Sequence, residues 1–381
     1  MPGADGNAQE WVTDLPESWV IKTLAGHHEE ALSMIAEQAD HIFITSRDDD
    51  ECCASLMIAK KRGLWLTEDP DPSLINPDFG IFLNYVERRH LREQRLQQWQ
   101  NRYSNKLSIL HPELKSALSQ IRSLGLRVAS PTTKRCRIKP PSEMIQGIET
   151  VRGWLRLTPV SVKLHCINLA RATERRQFIK KEWGGRNYNV EFFSAFDRRL
   201  ISAGVEPLPY QPSMAEAKIG RGLSEGERAC VAYHCFLLER LIDDQEEPEP
   251  FITLEDDITP TVQPMSFGYT LAAMMAEFPE ASVFLLHKAS GSSRAKMKIK
   301  REGFSGDLLE HSPWGNQLTA YRLEGAAELT ERLRLQNAAA DHHWDDFSGR
   351  IVISKVPLGV HLHNTTYIGN EHRGIKRKFH A

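Results

Sequence analysis

The chain has 381 residues, a formal net charge of −2, 41% hydrophobic residues and 26% charged residues. These values are typical of a globular protein long enough for two domains, and they argue against a disordered chain. The near-neutral charge also argues against a nucleic-acid partner, which would require a strongly basic surface.

The N-terminal segment lacks the basic region and apolar run of a signal peptide, and no stretch approaches the roughly 18 apolar residues of a membrane-spanning helix. The six cysteines form no C-x-x-C pair and show no zinc-finger spacing. Buried, reduced thiols in a reducing compartment fit this usage. We therefore expect a cytoplasmic protein.

The N-terminal part, residues 1–128, is predicted to be a small α/β domain whose role the sequence does not indicate. Residues 129–158, rich in proline and basic residues near their start, are predicted to be a linker. Helices are expected at residues 28–39, 48–61, 82–102 and 115–124, and strands at 41–46, 64–67 and 126–129.

The C-terminal part, residues 159–381, alternates apolar strands with amphipathic helices, which predicts a mostly parallel sheet. Ser224 and Glu227 have the spacing of a capping box and should begin a helix. Strands are expected at residues 160–169, 190–195, 251–254, 283–286 and 351–356, and helices at 172–182, 224–242, 271–277 and 323–335.

Three consecutive acids, Glu255, Asp256 and Asp257, follow the strand at residues 251–254. Ligands of open α/β sheets bind at the carboxyl ends of the strands. Adjacent carboxylates repel one another, so a positive partner is expected among them, and oxygen ligands suit Mg²⁺ or Mn²⁺. An acidic turn after an edge strand is the alternative.

Arginines follow the first strand of this part, which ends at Asn168. Arg171, Arg175 and Arg176 lie within one loop and the first helical turn. Amide groups at a helix N-terminus and nearby guanidinium groups bind anions, so this segment is a candidate diphosphate site. A solvent-facing arginine helix is the alternative.

Taken together, these segments resemble glycosyltransferase family 25, the lipooligosaccharide galactosyltransferase-like enzymes related to collagen galactosyltransferases. The family's I-N-L-x-R-x-x-x-R-R element matches residues 167–176, and its L-E-D-D motif matches residues 254–257. An A-x-D-G-like turn is similar to residues 194–198, with Arg198 in place of glycine. L-S-x-G-E-x-x-C-x-x-S-H is similar to residues 223–234, with Tyr233 in place of serine, and a later segment is similar to residues 315–329.

The resemblance implies a GT-A-like, Rossmann-type nucleotide-sugar domain. It also implies inverting transfer of a hexose, galactose or glucose, from a UDP-sugar to a glycan or glycolipid acceptor such as lipopolysaccharide. We expect the donor to be bound by Asn168, Arg171, Arg175, Arg176, Asp197 and His234. Asp257 is the first candidate ligand for Mn²⁺ or Mg²⁺, and Glu255 is the second. Asp256 is expected to contact ribose or sugar hydroxyls, and Asp341 is expected to be the general base.

Other interpretations remain open. Arg198 and Tyr233 depart from the family pattern and keep a catalytically weak sugar-binding protein possible, and the acids alone would also suit a metal-dependent phosphohydrolase. His361 and His363 could complete a metal shell, but we favour a structural role for them. The basic segment 373–378 could contact an anionic membrane surface, which would make the protein peripheral on a membrane.

Overall fold

The structure, a computed structural model, describes residues 37, 39, 42–45, 48–62, 73–105, 107–110, 119–121, 123, 141–244, 249–287, 297–311, 315–340, 347 and 350–361. Contacts between Cα atoms divide the chain into two units, residues 1–156 and residues 157–381. The predicted strands at 64–67 and 126–129, and almost all of the helix at 28–39, lie outside the described residues.

The first unit is a small α/β arrangement. Strand β1 (Ile42–Thr45) pairs in parallel with strand β2 (Leu107–Leu110). Helix α1 (Asp49–Arg62) has acidic residues in its first turn and basic residues in its last, which suits the helix dipole. Helix α2 (Phe79–Arg102) begins after Asp78, whose carboxylate accepts a hydrogen bond from the amide of Ile81. These elements confirm the expected strand at 41–46 and the helices at 48–61 and 82–102.

Part of the predicted linker is ordered secondary structure. Residues Pro141–Met144 form a 3₁₀ turn, and residues Ile148–Leu155 form helix α3. Trp154 of this helix packs on Phe79 and Phe82 of α2, with ring centroids 5.1 Å and 5.3 Å away. Residues 141–155 therefore contribute to the core of the first unit, which the proline-rich composition did not indicate.

The second unit contains the large sheet and its helices. Its strands are β3 (Lys163–Asn168), β4 (Asn189–Ser194), β5 (Phe251–Glu255), β6 (Ile258–Pro260), β7 (Val283–Leu285), β8 (Lys298–Glu302), β9 (Gly306–His311), β10 (Leu318–Tyr321), β11 (Ile351–Ser354) and β12 (Gly359–His361). Its helices are α4 (Thr173–Glu182), α5 (Arg198–Ser202), α6 (Pro212–Ile219), α7 (Glu225–Asp243), α8 (Pro264–Glu277) and α9 (Leu323–Arg334).

The large sheet is mixed. Its strand order is β4-β3-β5-β10-β7-β11-β9-β8, and β6 pairs separately with β12. β3 runs parallel to β4 and β5, whereas β10 is antiparallel to both β5 and β7, and β9 is antiparallel to both β11 and β8. Two strands thus run against the other six of this described sheet. The expected α/β class is confirmed, with β10 and β9 as the departures from a parallel sheet.

Helices cover both faces of the sheet, so the strands are apolar on both sides. On β3, Leu164 and Cys166 pack with α4 and α8 on one face, while Ile167 packs with α7 and α9 on the other. Because β3 and β5 are buried by helices on both faces, their carboxyl ends are fixed in position and can support a precise site.

Local sequence explains how two of these helices begin. Ser224 and Glu227 form the predicted capping box at the start of α7. α8 begins at Pro264, two turns before the predicted start at Leu271, because proline is favoured in the first helical turn. Gly268 in those two turns lowers helix propensity, but it lets α8 approach the chain closely, since a Cβ there would lie 2.5 Å from the carbonyl oxygen of Val160.

Candidate functional site

Three parallel strands deliver their carboxyl ends to one edge of the sheet. β3 ends at Asn168, β4 ends at Ser194, and β5 ends at Glu255. A cleft that is open to solvent lies at this edge. Its polar lining consists of Arg171, Arg175, Asp197, Arg198, Tyr233, Glu255, Asp256 and Asp257.

Arg175 lies among the acids at the end of β5. Its Nη1 is 2.5 Å from Oδ1 of Asp256 and 3.8 Å from Oδ2 of Asp257. The side chains of these three residues are between 10% and 14% exposed. The positive partner that the sequence required among the carboxylates is therefore present within the chain itself, whether or not a metal ion joins it.

Asp256 is held from two sides. Besides the contact with Arg175, its Oδ2 accepts a hydrogen bond of 2.8 Å from Nδ2 of Asn168, whose amide nitrogen also lies 3.3 Å from the carbonyl oxygen of Ala172. Burial raises the pKa of the Asp256 carboxyl, and Arg175 and Asn168 oppose that rise. Asp256 thus links the end of β3 to the first turn of α4.

Asp257 faces a histidine from the end of the second unit. Nε2 of His361, in β12, is 3.1 Å from Oδ2 of Asp257, while Oδ1 of Asp257 is buried and has no hydrogen-bond partner. The contact with Asp257 raises the pKa of His361, and burial opposes it. The pairing of β12 with β6 carries His361 to the acids, and its predicted structural role stays a prediction.

Glu255 faces away from this pair, toward α7. Its Oε1 lies 3.6 Å from Nε2 of His234, which is buried and 1% exposed. Nδ1 of His234 is 3.3 Å from Nδ2 of Asn316, and Oδ1 of Asn316 accepts a 2.6 Å hydrogen bond from the hydroxyl of Tyr321. Burial raises the pKa of Glu255, whereas His234 acts in the opposite direction.

The predicted arginines are divided between two environments. Nε of Arg171 donates a 2.6 Å hydrogen bond to Asp197, which also caps α5 by accepting from the amide of Arg199. Arg171 and Arg175 line the cleft, but the guanidinium of Arg176 stacks on the ring of Phe192, 4.5 Å from its centroid. Arg176 directly follows Arg175 in α4, so its side chain points in a different direction and packs against β4.

Some expected residues cannot be placed. Asp341, His363 and the basic segment 373–378 lie outside the described residues, so the predicted base and the predicted membrane contact stay predictions. Sequence reasoning missed Asn316, which lies just before β10, and Tyr321, the last residue of β10. Their only signal was the similarity of residues 315–329 to the family segment, which did not indicate that β10 enters the sheet beside β5.

A strand-end cleft lined by carboxylates and arginines is an arrangement in which α/β proteins can bind phosphorylated ligands. A family model described as glycosyltransferase family 25 (LPS biosynthesis protein) matches residues 162–301, which include β3, β5 and the residues that line the cleft. This match confirms the resemblance of the second unit to that family of glycosyltransferases. Residues 315–329 lie beyond the matched segment.

No curated protein matches the chain. Among solved structures, the chain is similar to the crystal structure of mouse xyloside xylosyltransferase 1 in its apo form, at 13% sequence identity and a TM-score of 0.26, over 49% of this chain and 68% of that one. Among the described residues, no helix is both long and apolar enough to cross a membrane.

Proposed function

We propose that the second unit transfers a hexose, galactose or glucose, from a UDP-sugar to a glycan or glycoconjugate acceptor such as lipopolysaccharide, with inversion at the anomeric carbon. The observation that carries this proposal is the convergence of Arg171, Arg175 and the acids 255–257 in one cleft at the carboxyl ends of β3 and β5. A nucleoside diphosphate needs cationic donors, and a departing diphosphate needs its charge stabilised at the same place.

The diphosphate would lie against the first turn of α4. Arg171 and Arg175 both line the cleft, and the amides at the start of α4 add the positive end of its helix dipole. Both guanidinium groups are already oriented by carboxylates, Arg171 by Asp197 and Arg175 by Asp256. Such preorganisation lowers the entropic cost of binding the donor.

A divalent cation fits beside Asp257. The unpartnered Oδ1 of Asp257 offers the oxygen ligand that Mn²⁺ or Mg²⁺ prefers, and the diphosphate and water would complete the shell. The imidazole of His361 could add a nitrogen ligand. When bound, the cation would supply Lewis-acid stabilisation of the leaving diphosphate. Glu255 is the weaker candidate ligand because its Oε1 faces His234.

Asp256 acts in this proposal as a positioning residue. Its two oxygens accept from Asn168 and Arg175, so it orients the arginine in preference to contacting a sugar hydroxyl. Deprotonation of the acceptor hydroxyl requires a base within hydrogen-bond reach on the opposite side of the sugar. Asp341 stays our candidate for that base.

A donor screen by UDP release tests the proposal. Purified full-length protein is incubated with UDP-galactose, UDP-glucose and other nucleotide sugars, in Mn²⁺ or in excess chelator, with and without lipopolysaccharide acceptor. We expect release of UDP from one UDP-hexose in Mn²⁺ and no release in chelator. Asp257→Asn should abolish the release, whereas Glu216→Gln, at an exposed acid on α6, should leave it unchanged.

Two results would contradict the proposal. Full activity in chelator would exclude the cation. Release of inorganic phosphate from phosphomonoesters, with none of UDP from any sugar nucleotide, would favour the phosphohydrolase.

A further inference from the structure

A second group of potential metal ligands lies behind the acids, between α7 and the end of β5. Cys230, His234 and Glu255 each offer one ligand atom, and these three atoms lie within 4.8 Å of one another. Cys230 and His234 are four residues apart on α7, so their side chains lie on the same face of the helix. Glu255 reaches them from the last position of β5.

An unsatisfied atom points into this group. Nε2 of His234 is buried without a hydrogen-bond partner, and the nearest oxygen of Glu255, at 3.6 Å, is beyond normal hydrogen-bond distance. A buried polar atom without a partner costs free energy, which a bound ligand would recover. A single ion between the three side chains would satisfy this nitrogen and neutralise the partly buried carboxylate of Glu255.

We propose that Cys230, His234 and Glu255 form a binding site for a thiophilic divalent ion, Zn²⁺ or its substitute Co²⁺. A sulfur, a nitrogen and an oxygen ligand suit a tetrahedral zinc-type site, whereas Mg²⁺ and Mn²⁺ favour oxygen ligands and are poorly suited to a thiolate. The site is separate from the one proposed at Asp257 and His361, and neither depends on the other being occupied.

The surroundings of His234 can orient it for this role. A metal-bound Nε2 requires the proton on Nδ1, which must then donate to an acceptor. Asn316 faces Nδ1 with its amide nitrogen at 3.3 Å, and rotation of that amide by half a turn would present its oxygen instead. The hydroxyl of Tyr321, now donating to Asn316, would accept from the rotated amide.

The site would hold three protein ligands and one open position. Glu255 and Tyr233 line the cleft, so water or an added ligand can reach the fourth position from that side. Tyr233 also has a hydrogen-bonding contact with Cys230, which would stabilise a thiolate if the hydroxyl donates. An ion there would link α7 to the end of β5 and so stabilise the part of the cleft that these two elements line.

Cobalt spectroscopy on the full-length protein tests the inference. After metal removal by chelator and gel filtration, Co²⁺ is titrated and the thiolate-to-cobalt charge-transfer band in the near ultraviolet is recorded. We expect the band to saturate at one Co²⁺ per chain and to be displaced by Zn²⁺. Cys230→Ser should abolish the band, and His234→Gln should weaken Co²⁺ binding at least tenfold.

Matched variants separate this site from other thiols and from the proposed donor site. Cys235→Ser removes the next cysteine of α7, which contacts Glu239 and not this group, so its band should persist. Asp257→Asn should also retain the band, even though it should abolish UDP release. The wild-type protein alone decides the main point: absence of the band at saturating Co²⁺, or its persistence in Cys230→Ser, would overturn the inference.

Discussion

Replacing Arg175 with alanine should destabilise the second unit as well as weaken donor binding. From the sequence alone, loss of this arginine is expected to lower UDP affinity more than tenfold with no change in melting temperature. The structure changes the second half of that expectation, because Arg175 is 13% exposed and its Nη1 is 2.5 Å from Asp256. Its removal leaves the carboxylate of Asp256 without its cation and close to the carboxylate of Asp257.

The magnitude follows from burial. Removing one partner of a buried ion pair costs about 3–5 kcal/mol, and the slight exposure of this pair favours about 3 kcal/mol. For a unit of this size, that corresponds to a melting temperature lower by roughly 6–12 °C. Arg171→Ala is the matched control, because Arg171 and Asp197 are 29% and 23% exposed and should contribute about 1 kcal/mol or less.

Differential scanning calorimetry and urea denaturation measure both variants, and a double-mutant cycle identifies the cause. If the lost stability comes from the uncompensated carboxylate, Asp256→Asn should cost much less in the Arg175→Ala background than in the wild type. Equal melting temperatures for Arg175→Ala and the wild type, or strictly additive effects with Asp256→Asn, would refute the reasoning.

Three further predictions concern stability and domain structure. Burial lowers the pKa of His287 from 6.5 to about 4, so below pH 6.5 the unfolded chain binds a proton that the folded chain does not. The free energy of unfolding should therefore fall by about 2 kcal/mol between pH 7 and pH 5. A His287→Gln variant whose stability shows the same pH dependence would contradict this. Gly268→Ala should cost about 1–3 kcal/mol, because the added Cβ meets the carbonyl of Val160 at 2.5 Å, whereas Gly153→Ala in α3 meets nothing within 4 Å and should be neutral or slightly stabilising. A fragment of residues 157–381 should fold cooperatively and bind UDP as the full chain does; an unfolded fragment would show that the boundary is misplaced.

The local elements that bear the site could be predicted from sequence because their signals are local. The capping spacing of Ser224 and Glu227 predicted the start of α7, and an apolar run followed by acids predicted that β5 would end in the cleft. The rule that ligands bind at the carboxyl ends of parallel strands then brought Asn168 and Asp256 together, and the structure gives a 2.8 Å hydrogen bond between them.

Nonlocal pairing accounts for most of what the sequence did not predict. The four residues of β10 are too short to show a period, and their place between β5 and β7 depends on antiparallel partners from elsewhere in the chain. His361 likewise reaches Asp257 only because β12 pairs with β6. The separate environments of Arg175 and Arg176 depend on the rotation of α4 about its axis, which its packing on β4 sets and its own sequence does not.

Calorimetric titration of UDP into the full-length protein tests the central claim, a metal-assisted nucleotide-sugar site at the carboxyl ends of β3 and β5, most directly. The account predicts saturable binding of one UDP per chain in Mn²⁺, at least tenfold weaker binding in excess chelator, and a similar loss in Asp257→Asn. Binding that is indifferent to both chelator and Asp257→Asn would contradict the metal site, and the absence of any binding in Mn²⁺ would contradict the nucleotide site itself.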